Sequence, residues 1–114
     1  MANDVIPSLA YEILDECKYG REEFFVLISS IDYSQESEFE RFQAALLDLT
    51  EKGLLVAYIG DRRLNHFDGQ TLAAYIDVRV AAGENLDEPT STCEELAFEA
   101  TAAGVALLKP QDRP

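Results

Sequence analysis

The stretch from Ser34 to Ile59, SQESEFERFQAALLDLTEKGLLVAYI, does most to limit what this chain can fold into. Phe39, Phe42, Leu46 and Leu49 recur at steps of three, four and three, which places them on one face of a helix. Ala45 and Leu47 widen that stripe, while Glu36, Glu40, Arg41, Gln43, Asp48 and Glu51 occupy the other face. Ser34 or Ser37 can cap the start, and Ser37 has Glu40 three residues on, the spacing of a capping box. Gly53 stands where a left-handed residue ends a helix. Leu54 to Ile59 follows as a strand-length apolar run closed by Gly60-Asp61.

A helix with such a stripe needs partners to bury it, and the flanking sequence supplies them. At 114 residues the chain reads as one domain, 1–114, long enough for an ordinary core. Leu9, Ile13, Leu14 and Cys17 share a face, which predicts a first helix over about Pro7–Lys18, closed by Gly20. By periodicity the run Phe24–Ile28 with Ile31 fits a buried strand as well as a helix. Its acidic start and the short link before it favour a helix over about Arg21–Ser30. Asp68 can cap a helix through Val80 that Gly83 ends. The alternation Ile76-Asp77-Val78-Arg79-Val80 fits a strand, but cap signals at both ends favour helix. A loop over 83–93, a strand over Glu95–Thr101, a short helix over Ala102–Leu108 and a frayed tail, 109–114, complete the chain.

Charge sets the limits on partners. Twenty-two acids against nine bases give a net charge of −13, a field that repels phosphate backbones and anionic lipid. No apolar run approaches the ~20 residues of a membrane span, and the early Asp4 does not fit a secretory signal. Cys17 and Cys93 form neither a metal spacing nor a redox pair, so they read as free thiols of a reducing, cytoplasmic compartment.

The order of helix, helix, long helix, strand, loop, strand and short helix resembles the winged-helix domains of bacterial transcription regulators. Two motifs carry the resemblance. Leu46-Leu47-Asp48-Leu49-Thr50-Glu51-Lys52-Gly53-Leu54-Leu55 is similar to the end of a recognition helix running into a wing strand. Phe98-Glu99-Ala100-Thr101-Ala102-Ala103-Gly104-Val105-Ala106-Leu107-Leu108 is similar to the strand, Thr-x-x-Gly turn and helix that follow the wing. The resemblance implies an α+β, mainly helical fold: a three-helix core with a two-stranded wing, here enlarged by an insert over about 60–94. It also implies that the exposed face of the third helix is the part that enters a DNA groove. DNA contacts would then come from Arg21, Arg41, Arg62 and Arg63 on the backbone, with Gln35 and Gln43 reaching bases.

The charges run against that use. From Ser34 to Lys52 five acids face only Arg41 and Lys52, and between Arg79 and Lys109 six acids meet no base. The residues offer little chemistry. His66, the one histidine, has Asp61 and Asp68 nearby but no second His or Cys at ligand spacing. Adjacent carboxylates such as Glu22-Glu23 and Glu94-Glu95 do not face one another as an acid–base pair. There is no glycine-rich phosphate loop and no triad signature. The sequence therefore points to a non-catalytic module without cofactor or metal. It would act through a protein partner or a homodimer, with DNA-binding regulation as the alternative.

Overall fold

The computed structural model describes residues 8–108. Helix α1 spans Ser8–Cys17, strand β1 Glu22–Glu23, helix α2 Phe24–Ile28 and helix α3 Glu36–Glu51. Strands β2 (Leu55–Ile59) and β3 (Arg62–Arg63) follow, then helix α4 (Gly69–Ala81), strand β4 (Leu96–Ala100) and helix α5 (Ala102–Leu108). Among the described residues this is an α+β domain of five helices and a four-stranded antiparallel sheet, with strand order β1-β4-β2-β3. Pro7 and the 109–114 tail lie outside the described residues.

The stripe on α3 does what its spacing requires. Phe42, Leu46 and Leu49 are buried, and Phe39, Ala45 and Leu47 pack half-buried at the edge of the core. The end of α3 is also as expected. Gly53 takes φ 75, its N–H bonds to the Thr50 carbonyl, and the Leu54 N–H reaches back to Leu49. That pair of bonds satisfies carbonyls the helix would otherwise leave bare. The start differs. Gln35 is the N-cap residue and makes no side-chain cap, Ser37 lies inside the helix, and the Ser34 hydroxyl bonds to Asp32 instead. The capping box does not form, because the helix already begins at Glu36 and leaves Ser37 inside its first turn rather than at the cap.

Two further expectations need correction. Residues Glu22 and Glu23 are not the first turn of a helix but a short strand, in register with Phe98 and Ala97 of β4. The centre strand has two sides, and β2 takes only one. An extended 22–23 segment, entered through Gly20 at φ 144, pairs the backbone groups on the other side. Arg62 and Arg63, at the start of the expected insert, form a strand, and with β1 this gives the sheet four strands and not two.

The connection between β2 and β4 is not an appendage. Asp68 caps α4 by accepting from the Thr71 N–H at 3.0 Å, which resolves the helix-or-strand ambiguity in favour of helix. Leu72, Tyr75 and Ile76 of α4 join the core shared by α1, α2 and α3. Phe24 packs edge-on against both Phe42 of α3 and Tyr75 of α4, at 5.7 and 5.3 Å between ring centres. Each such fully buried large side chain contributes on the order of 1.5–3 kcal/mol. The two resembling motifs meet in space as well. Thr101 donates its hydroxyl to the Gly53 carbonyl at 2.7 Å and accepts from the Gly104 N–H at 3.1 Å. A Cβ on Gly104 would stand 2.3 Å from the Leu54 carbonyl oxygen, so only glycine lets α5 lie this close to the end of α3.

Candidate interaction surfaces

The six side chains proposed to touch DNA fall into two groups. Arg21, Arg62 and Arg63 gather at the β2–β3 hairpin. The Arg21 guanidinium stacks 3.9 Å from the centre of the Tyr58 ring, donates to the Gly60 carbonyl at 3.2 Å and lies 3.7 Å from Asp61. Arg62 is 4.0 Å from Glu94. Arg63 is the one cation among the described residues with no carboxylate within 4.0 Å.

The second group lies on α3. Gln35 is exposed at its start. Arg41 lies 3.8 Å from Glu38 on its own helix. Gln43 is half-buried and donates to the Phe39 carbonyl at 3.4 Å, so its amide is already occupied. Exposed Glu36, Glu40, Asp48 and Glu51 surround them. The loop after α4 adds a further acid at the start of α3, since the Tyr33 hydroxyl donates to Asp87 at 3.3 Å.

That loop is held by a residue the sequence did not single out. Arg79, on the inner face of α4, has no exposed surface. Its Nε donates to Glu84 at 3.0 Å, one Nη to the Tyr75 hydroxyl at 3.2 Å, and the other to the carbonyls of Asn85 (2.8 Å) and Glu88. Glu95 lies 3.9 Å away and accepts the Tyr75 hydroxyl. A buried guanidinium is tolerated only when its donors are used in this way. Glu84 in turn accepts from the Ser91 N–H and the Thr92 hydroxyl. The Ser91 N–H, the threonine hydroxyls and Arg79 together hold its carboxyl down at about 2. Burial, then Glu95, pushes the Tyr75 phenol upward. Among the described residues no buried side-chain nitrogen or oxygen lacks a partner. One signal was present in the sequence: Arg79 stands four residues after Tyr75, on the buried side of α4, immediately ahead of an acid-rich loop.

The opposite side of α4 is apolar and open. Ala73, Ala74 and Ala81 are exposed there, and Val78 and Val80, 49% and 59% accessible, flank them on opposite edges of the helix. Asp77 is the only charge on that arc and has no cationic partner among the described residues. A helix apolar on both sides ordinarily has something packed on each.

His66 is exposed and bonds to Asp68 at 2.8 Å. Among the described residues no group of three His, Cys, Asp or Glu is placed to hold a metal, and no helix is long and apolar enough to cross a membrane. Comparison with protein families, with curated proteins and with solved structures finds no match to this chain.

Proposed function

We propose that this chain is a non-catalytic module of winged-helix type that works through protein–protein contacts. The fold reading rests on three helices that each bury one face and an antiparallel strand pair, β2 and β4, that covers the remaining edge. The functional reading rests on one observation. Of the arginines that would serve DNA, Arg21, Arg41 and Arg62 already lie within 4.0 Å of a carboxylate. A phosphate approaching them has to displace or lie beside that carboxylate, within the field of a chain of net charge −13.

A DNA-binding regulator remains the second reading because Arg21, Arg62 and Arg63 share one tip with only Asp61 and Glu94 paired to them. A fluorescence titration with labelled duplex DNA at low salt separates the two. The expected result is no measurable binding by the wild-type chain. Binding that falls with salt at a logarithmic slope of about −3, as for roughly three phosphate contacts, and that disappears in Arg62→Ala/Arg63→Ala, would reverse the choice.

A further inference from the structure

The free edge of β2 is where the protein-contact reading can be made specific. Thr101 donates its N–H to the Leu54 carbonyl, and Gly60 donates to the Glu95 carbonyl. These two bonds fix the ladder with β4. Leu54, Val56 and Tyr58 turn their N–H and C=O toward β4, and Leu55, Ala57 and Ile59 turn theirs away from it. On that other side Ile59 meets Arg62 of β3, and the Ala57 carbonyl accepts from the Leu64 N–H at 2.9 Å. The pairing stops there, so Leu55 has no backbone partner on this side among the described residues. Leu55 and Ala57 are each only 3% accessible and their side chains lie in the core. Both nevertheless border a groove of about 230 Å³ beside this edge, and what they present to it is backbone. A nearly buried N–H and C=O without partners are uncommon in a folded chain. An extended segment laid on such an edge supplies the missing partners.

The other residues bordering the groove define that segment. Arg63, in register with Tyr58 just past Ala57, lines it and is the one cation among the described residues with no carboxylate within 4.0 Å. Leu64 and Phe67 line it half-buried, and Phe67 is held edge-on to Phe98 at 5.4 Å between ring centres. Leu64 already occupies the strand position opposite Ala57, so a segment lying along Leu55 cannot run on past it and has to end there. A chain end brings its own carboxylate to Arg63, and one negative charge suffices. A polyanion would instead spread its charge over the acidic face of α3. From these observations we infer that the groove binds the C-terminal end of an extended peptide from a partner protein. The peptide runs parallel to β2. Its last N–H donates to the Leu55 carbonyl, and the carbonyl two residues earlier accepts from the Leu55 N–H. Its terminal carboxylate pairs with Arg63, and an apolar last side chain lies against Leu64 and Phe67. This inference rests on the protein-contact reading.

The probe is a short fluorescein-labelled peptide of serine and threonine with a final leucine, titrated with the full chain by anisotropy. It is made in three forms: with a free terminal carboxylate, with a terminal amide, and with the last peptide nitrogen methylated. Wild type is expected to bind the free acid and to bind the amide about tenfold more weakly. Methylation is expected to weaken binding as well, because it removes the donor to Leu55. Arg63→Ala is expected to weaken the free acid to the level of the amide and to leave the amide unchanged. Arg63 is exposed, so its variant should melt near wild type, and a melt checks this. Equal binding of acid and amide overturns the inference, as does an equal loss of both in Arg63→Ala. Full binding of the methylated peptide overturns the pairing with Leu55, and no binding of the free acid overturns the site. Failure here with no duplex binding leaves the protein-contact reading standing, whereas duplex binding through the arginine tip removes that reading itself.

Discussion

Replacing Arg79 by methionine tests how much of this fold depends on one buried charge. The guanidinium has no exposed surface and serves Glu84, Tyr75, Asn85 and Glu88, with Glu95 at 3.9 Å. Methionine returns apolar volume but no donor. Removing one partner of a buried ion pair costs about 3–5 kcal/mol. The lower end applies here for two reasons. Glu84 keeps the Ser91 N–H and the Thr92 hydroxyl, and Glu95 keeps the Tyr75 hydroxyl and the Thr90 N–H. The side chains of Glu84 and Glu95 are 13% and 19% exposed, so water can reach both. A loss of about 3 kcal/mol lowers Tm by about 12–15 °C for a domain near one hundred residues. Urea and thermal melts of wild type and Arg79→Met measure it. Arg79→Lys should fall in between, since an ammonium keeps the charge but cannot reproduce the planar fork of donors. A loss below about 1 kcal/mol, with the urea slope unchanged, would refute the claim that Arg79 organises the loop.

Three other outcomes follow from single contacts. Gly104→Ala normally gains about 1 kcal/mol in a helix; here the new Cβ meets the Leu54 carbonyl oxygen at 2.3 Å, so Tm should fall, and a rise would show that α5 does not sit against Leu54. Asp68 is held down to about 2 from 3.8, first by the Thr71 N–H and then by His66. Its contribution is complete above the unfolded value and is lost as pH falls through about 2, so the stability gap between wild type and Asp68→Ala should close over that interval. Burial, reinforced by Glu22, pushes the Cys17 thiol up to about 12, whereas Cys93 is only half-buried. Iodoacetamide should therefore label Cys93 in the native protein and Cys17 only after unfolding, as peptide mass mapping will show.

Much of the fold was legible because the relevant forces are local. The α3 stripe, the Gly53 and Gly83 stops and the Asp68 cap each depend on residues within a turn of one another, and each appears as its spacing requires. The short strands were not legible for the opposite reason. Glu22-Glu23 and Arg62-Arg63 have no strand pattern of their own and are extended only because β4 and β2 present unpaired backbone beside them. For the candidate surfaces, the sequence identified the acidic face of α3 but not the pairing of individual arginines, which depends on partners such as Glu94 that are remote in the chain. Arg79 was hidden for the same kind of reason. In the sequence it is one of two charges on a helix, beside Asp77, and only the packing of α4 turns it inward.

The position of β4 in the sheet has a kinetic consequence. It lies between β1 and β2, yet it is the last strand among the described residues, and its Leu96 and Phe98 are fully buried. During synthesis α1 to α4 and the hairpin emerge before the strand that joins β1 to β2. Until then, the sides of β1 and β2 that β4 will occupy have no strand partner, and the core lacks Leu96 and Phe98. Closure has to wait for a contact between residues as distant as Glu22 and Phe98, and long-range pairing of that kind is slow. The nascent chain is therefore most exposed to misassociation just before β4 leaves the ribosome. Truncation ahead of Leu96 should trap it there.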